Sequence, residues 1–479
     1  MKLKLNNHLF FGLLIFASVV GIIVRLSHIN AAVADWHSWR QVDTAAVARN
    51  FQKFGFDLLH PRYDDVSNIQ SGRDNPNGWR MVEFPLYQGV GYELYKLVPR
   101  LSIEEALRLV SVFSVAGSIF LFGLLALEFM GAIPAIIGAF LYAVLPFSIY
   151  YGRTILPDPF GTFWALLSLV ILSKNSVRKS VLWTLVAGLS AGISLLVRPM
   201  EAFVLLPAVY LLLKDFSFKK TTVTVILYSI VAVVPLFFWR KWILQYPEGI
   251  AASDWLFNKD GIRFKGAWFY WIFDQRIGDL ILGAWGLIPF GLGLIVAGVK
   301  KDRIFSYLWL AGALLYVIIF AGGNVQHDYY QALIIPIIIW FTAKGVDILI
   351  KSHEGISRIA SISLVVISLV FMWIFSWYTM RTYFWINHPE IVEAGIAADK
   401  LIPKYAKVIA PYGGDTTFLY QTKRQGWPIG FEIDKKIKMG AQYYVTVNPA
   451  DPEAVGLART YSVLVNTKTY EIIDLTRKK

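Results

Sequence analysis

The 479-residue chain contains no cysteine, which removes disulfides, thiolate metal sites and a cysteine nucleophile from consideration. Charge is scarce as well. Only 16% of residues are Asp, Glu, Lys or Arg, against 56% hydrophobic and 15% aromatic, and the mean hydropathy is +0.51. Soluble domains carry about 25% charged residues, so this composition points to a polytopic membrane protein. No P-loop, no G-x-G-x-x-G after a strand, no H-E-x-x-H and no nucleophile elbow occurs. Solenoid repeats and low-complexity tracts are also missing. In a soluble protein the net charge of +13 would suggest nucleic acid. In a membrane protein the same Lys and Arg belong to cytoplasmic loops and to anionic lipid, so no nucleic-acid partner is expected.

What the chain has in abundance is apolar runs. They predict about eleven spans, near 9–27, 106–128, 131–151, 158–173, 181–197, 200–213, 222–240, 280–299, 304–322, 330–350 and 358–379. No small-residue cleavage pattern follows the first, which therefore reads as a retained helix. Short loops on one side carry Lys174, Arg178 and Lys179, then Lys214, Lys219 and Lys220, then Lys300, Lys301 and Arg303, then Lys351 and Arg358. The opposite short loops carry only Arg153 and Arg198. The positive-inside rule makes the first side cytoplasmic, together with the N-terminus and its Lys2 and Lys4. The protein is then expected in the inner or plasma membrane, with loops at about 28–105 and 241–279 and the tail outside. In that tail, Pro389, Pro403, Pro411 and Gly413-Gly414 punctuate runs such as KVIAPYG, QYYVTV and YSVLVN, with helices expected near 390–401 and 415–423. The organisation reads as a transmembrane domain over 1–380 and a small α/β extracytoplasmic domain over 381–479.

Four polar clusters stand at the outer ends of spans. The densest is DWHSWRQVDTAAVARNF at 35–51, with Asp35, His37, Arg40, Gln41 and Asp43. If 37–51 is helical, the 3.6 period sets His37, Arg40, Asp43 and Thr44 near one face and Trp39, Val42 and Ala46 on another. That pattern fits a reactive face, and it also fits an amphipathic segment at the membrane interface. In GRTILPDPFGTF, Arg153 and Asp158 bracket a turn, either as a functional pair at membrane depth or as a clamp holding the turn. In LLVRPMEAF, Arg198 adjoins a helix break and is suited to meeting a lipid phosphate with a bidentate fork, or to snorkelling. In GGNVQHDYYQALIIP, His327 and Asp328 open an Ile-rich span beside Tyr329 and Tyr330. Aromatic residues at 242–271, interleaved with Arg263, Lys265 and Arg276, fit either sugar stacking or interfacial anchoring. His and acid residues at 35–43 and 327–328 lack metal-ligand spacing.

Taken in order, these motifs resemble the GT-C glycosyltransferases, in the family 39-like branch of protein O-mannosyltransferases and lipid A aminoarabinose transferases. The likeness covers about residues 5–380. VARNF at 47–51 resembles the ARNM-like pattern that closes the family's first outer helix. RTILPDPF is similar to the Arg-x-x-x-Leu-Asp turn, which sets Arg153 and Asp158 on its positions. Arg198 matches the basic residue that meets the lipid phosphate, and His327 and Tyr330 fall on a Tyr-x-x-x-x-x-Pro span opening. One departure is plain: Arg40-Gln41 occupies the position of the family's acidic pair, which leaves Asp43, one turn on, or Asp35, just upstream.

The resemblance implies an all-α polytopic GT-C fold and transfer of a sugar from a polyprenyl-phosphate donor to an acceptor hydroxyl on the outer face, with inversion. It implies Asp43 or Asp35 as the base that deprotonates the hydroxyl, with His37 a further catalytic candidate of the same stretch. Arg198 with Arg40 or Arg153 would hold the phosphate, and Gln41, Asp158, His327 and Tyr330 would contact substrate. No cofactor is implied, and a divalent metal is not required. The acceptor remains open between lipid, polysaccharide and protein. A transporter or flippase, or a polymerase or ligase of lipid-linked saccharides, are the competing readings.

Overall fold

The computed structural model describes residues 6–174, 180–214, 218–296, 300–351 and 358–479. Lys2, Lys4, Arg178 and Lys179, and the side chains of Lys219, Lys220, Lys300 and Lys301, which entered the orientation argument, lie outside the described residues. Among the described residues five helical stretches are long and apolar enough to cross a membrane, including Asn7–Arg25, Ile103–Met130, Thr221–Ile243 and Asp328–Lys351. Shorter apolar helices accompany them: Ala132–Val144, Asp158–Ser173, Val181–Val197 and Arg303–Ile319. The protein is a mostly helical, multi-pass membrane protein with a small C-terminal sheet.

Several expected spans are broken, among them the 131–151 run, whose helix Ala132–Val144 ends at the extended Leu145 before a new helix starts at Pro146–Tyr151. The 200–213 run is a 3-10 turn at Pro199–Ala202 followed by the helix Pro207–Leu213, each opened by a proline whose missing N–H costs nothing at a helix start. The 280–299 run begins as a π-helix, Tyr270–Ile281, turns through the positive φ of Gly283 and Ala284, and resumes at Leu287–Ile295. Hydropathy cannot register such breaks, because proline and glycine interrupt the backbone without making the run polar.

The chain divides into two compact units. The first comprises 1–29, 108–239 and 253–383, and the second 30–107, 240–252 and 384–479. A boundary was expected near 380, and the chain passes from one unit to the other between Tyr383 and Phe384. The outer stretch 30–107 belongs to the same unit as the tail.

In the first unit, Leu287–Ile295 packs against Ile335–Lys351 through Gly293 and Gly345. A Cβ on Gly345 would lie 1.7 Å from the Pro289 carbonyl oxygen, and one on Gly293 would lie 1.9 Å from that of Phe341. Only glycine lets two helix backbones meet this closely in a membrane. The buried Arg25, at the end of the first span, donates to Ala143 O at 2.9 Å and Tyr142 O at 3.1 Å. It thereby places a cation on the C-terminal carbonyls of the helix Ala132–Val144.

In the second unit a five-stranded mixed sheet is built from β1 (Lys407–Ile409), β2 (Gly426–Trp427), β3 (Ala441–Thr446), β4 (Tyr461–Asn466) and β5 (Glu471–Lys478), in the order β2-β1-β3-β5-β4. Strand periodicity sends alternate residues to opposite faces. Val408, Val445 and Ile472 pack with the helices Pro389–Leu401 and Thr416–Gln421, while Ile409, Tyr444 and Ile473 form the other core. Val66, from the outer stretch, joins that second core, and Asp65 bridges to Gly426 on the edge strand β2. The outer stretch therefore covers a sheet edge that would otherwise be open.

Candidate functional site

The stretch 35–51 forms the helix Ser38–Phe54, with eleven of its residues buried, including Arg40, Gln41, Asp43 and Thr44. His37 stands outside it as the N-cap, in the left-handed region at φ 53°, so it does not share the helical face expected for it. Burying this many polar groups requires partners for each. The second unit supplies them from distant segments.

Asp43 is 1% exposed and held by two hydrogen bonds and an ion pair. Thr416 Oγ1, from the tail, donates to Oδ1 at 2.7 Å, Gln70 Nε2 donates to Oδ2 at 3.1 Å, and Arg80 makes an ion pair to Oδ2 at 3.2 Å. Arg80 also donates to Gln70. Arg40 Nη2 donates to both Glu83 carboxylate oxygens, at 2.9 and 3.0 Å. Burial raises the Glu83 carboxyl, but Arg40 and Arg80 outweigh it and hold the group below the usual carboxylate range. Gln41 Nε2 donates to Asp35 Oδ1 at 2.9 Å. Gln41 thus fixes the carboxylate just upstream in the chain. The ARN pattern has its own physical reason: Arg49 pairs with Asp64, Asn50 Nδ2 donates to Asp64 Oδ1 at 3.1 Å, and the Arg49 guanidinium stands 3.8 Å over the Tyr420 ring. Asp415, the N-cap of Thr416–Gln421, has its carboxyl pushed up by burial and by the charge of Asp43, against the pull of its bonds from Thr417 and of His37.

In the first unit, Asp158 starts the helix Asp158–Ser173 and pairs with Arg198 at 3.0 Å. The Arg198 guanidinium lies 5.1 Å from the Tyr330 ring centroid, and His327 stacks on Tyr330 at 6.4 Å and on Tyr329 at 5.6 Å. Asp158, Arg198, His327 and Tyr330 are therefore brought together. Arg153 donates to His28 O at 3.4 Å and lies over the Tyr150 ring. A small cavity is lined by Ser148, Tyr151, Asp158 and Thr162 among apolar side chains. Each of these polar groups is backed by a buried ionisable side chain. Arg25 Nη2 donates to Ser148 at 2.7 Å, Tyr151 donates to Asp328, Asp158 pairs with Arg198, and Thr162 donates to Glu201 at 2.7 Å. Tyr383 also donates to Asp328, and Arg276 lies 3.7 Å from it.

Sequence reasoning did not single out Glu83, Arg80, Gln70, Asp65 or Thr416. For Glu83 a signal existed, a lone acid inside the apolar WRMVEFP run, and for Asp415-Thr416 the capping pattern before a short helix. Among the described residues no group of three or more His, Asp or Glu side chains gathers to hold a metal ion.

The fold is the GT-C fold of membrane glycosyltransferases. The chain is similar to ArnT from Cupriavidus metallidurans bound to undecaprenyl phosphate, at 13% identity and TM-score 0.65, over 96% of this chain and 98% of that one. It is also similar to the oligosaccharyltransferase AglB from Archaeoglobus fulgidus in complex with an inhibitory peptide and a dolichol-phosphate, at 11% identity and TM-score 0.57, over 96% of this chain and 74% of that one. Within that class, residues 95–239 match the family model of dolichyl-phosphate-mannose-protein mannosyltransferases. No curated protein matches the chain in sequence.

Proposed function

We propose that this chain is an integral-membrane glycosyltransferase that moves a sugar from a polyprenyl-phosphate donor to an acceptor hydroxyl on the outer membrane face, with inversion. The observation that carries the reading is the end-to-end likeness to a fold solved with undecaprenyl phosphate. In the proposed reaction a carboxylate takes the acceptor hydroxyl proton, the freed oxygen bonds to the anomeric carbon, and the bond from that carbon to the phosphate oxygen breaks. Polyprenyl phosphate leaves with the electron pair. Asp43 is the first choice for the base. Two hydrogen bonds, one on each oxygen, fill two of the roughly four lone-pair positions of a carboxylate, beside the Arg80 ion pair, and leave a lone pair on Oδ1 for the proton. Asp35, fixed by Gln41, is the second, with His37 beside it in the chain. Arg198 and Arg153 bind the donor phosphate, and Arg40 orients the helix that carries Asp43 through its hydrogen bonds to Glu83. Gln41, Asp158, His327 and Tyr330 shape the substrate contacts. Positive charge at the leaving group comes from arginine, so no metal step enters the scheme. The Lys/Arg-rich short loops are assigned to the cytoplasm, and the loops at about 28–105 and 241–279 and the tail to the outside.

The test is purified protein in nanodiscs, given polyprenyl-phosphate pentoses and hexoses with a cell-envelope acceptor fraction. Release of polyprenyl phosphate together with a glycosylated acceptor is expected, and Asp43→Asn lowers turnover about 10²- to 10⁴-fold. Loss in Asp35→Asn alone moves the base to Asp35. Translocation of intact lipid without cleavage replaces the transferase by a flippase.

A further inference from the structure

The tail is the part of the chain for which no role has been given. Within the second unit its short helix Thr416–Gln421 lies along the helix that carries Asp43 and touches it at three levels. At the first turn Ser38 Oγ and Thr417 Oγ1 are 3.0 Å apart. At the middle Thr416 Oγ1 donates to Asp43 Oδ1 at 2.7 Å. In the last turns Arg49 Nη1 donates to Tyr420 O at 3.1 Å, with its guanidinium on the Tyr420 ring. The first-turn backbone of the tail helix is itself fixed, because Asp415 Oδ1 accepts from Thr417 N at 2.7 Å. Thr416 is 5% exposed, so its hydroxyl is held from water as well as from other rotamers.

We propose that Thr416 is a positioning residue for the Asp43 carboxylate, and that the tail is therefore a working part of the transferase. Gln70 and Arg80 both act on Oδ2 and leave the carboxylate plane free to swing about that atom. The Thr416 hydroxyl, acting on Oδ1, stops the swing and fixes the direction of the second lone pair on that oxygen. A base must lie within about 3 Å of the proton it takes, and a misdirected lone pair lowers turnover without weakening donor binding. The proposal rests on the reading of Asp43 as the base.

The experiment uses the full chain in nanodiscs, the polyprenyl-phosphate sugar that supports wild-type turnover, and the variants Thr416→Val, Thr416→Ser and Asp43→Asn. Val keeps the shape and removes the donor; Ser keeps the donor. One hydrogen bond to a charged group corresponds to roughly ten- to hundredfold. Thr416→Val is expected to lower kcat by that factor with donor KM unchanged, and Thr416→Ser to restore kcat to within about threefold. Wild-type kcat in Thr416→Val overturns the proposal, as does an equal loss in Val and Ser, or a loss that appears only in KM. Thermal unfolding of each variant is read alongside. Loss of kcat in Val that merely tracks a lowered unfolding temperature in both variants also overturns it. Full turnover in Asp43→Asn instead marks failure of the base assignment, and absence of transfer by the wild type marks failure of the functional reading.

Discussion

Asp65 carries the sharpest prediction on stability. Its side chain is fully buried, Oδ1 accepts from Ser67 N at 2.8 Å, and Oδ2 has no hydrogen-bond partner. Burial pushes its carboxyl up to about 7, with Ser67 pulling down, Asp43 pushing up and Arg80 pulling down. A carboxyl whose folded value lies above its unfolded value of 3.8 holds a proton in the folded state that the unfolded state has already lost. Its effect on stability is absent below about pH 4 and grows as pH rises towards 7. Above 7 it is complete and unfavourable. Three pH units at about 1.4 kcal/mol each amount to about 4 kcal/mol at pH 8, as an order of magnitude. Asp65→Asn keeps the acceptor for Ser67 N and removes the titration. The assay is the unfolding temperature of both proteins in nanodiscs between pH 4 and 8.5. The variant is expected to match the wild type near pH 4 and to gain steadily on it up to about pH 7, with a plateau beyond. Parallel profiles across the whole range would refute the reasoning, because the buried carboxyl would then not be the group that titrates.

Four further outcomes are expected. Arg40→Met or Glu83→Met alone removes one side of a buried ion pair and costs about 3–5 kcal/mol, whereas the double variant costs far less. Unfolding temperatures of the four proteins give the coupling, and additive losses contradict it. Because the Glu83 carboxyl is held low when folded, the wild-type benefit is present above pH about 4.5 and disappears as pH falls through the lowered folded value. Gly345→Ala forces the Pro289 carbonyl away from its helix and is expected to lose about 1–3 kcal/mol, read as a lowered unfolding temperature at unchanged helix content. Arg198→Lys, which replaces a planar fork by a point charge, is expected to raise the donor KM about tenfold while the protein stays folded; an unchanged KM removes Arg198 from phosphate binding.

The sequence by itself determined the class of this protein. Runs of apolar residues, scarce charge and the tail's change of character are local properties, and a local property is written in neighbouring residues. The helices Pro389–Leu401 and Thr416–Gln421, and strands β1, β3 and β4, fall on the runs and punctuation that pointed to them. Broken spans were less visible, since Gly283 and Pro199 bend a backbone whose hydropathy stays uniform. The departure at Arg40-Gln41 was also legible as a departure. Its resolution was not. Arg40 turns to Glu83, 43 residues away, and Gln41 reaches back to Asp35. Asp43 is fixed by Thr416, 373 residues on, a pairing that exists only once the tail sheet has folded against the outer stretch. Burying a polar group demands a partner but does not name one. The partner is chosen by chain closure over hundreds of residues, and that choice belongs to the tertiary structure alone.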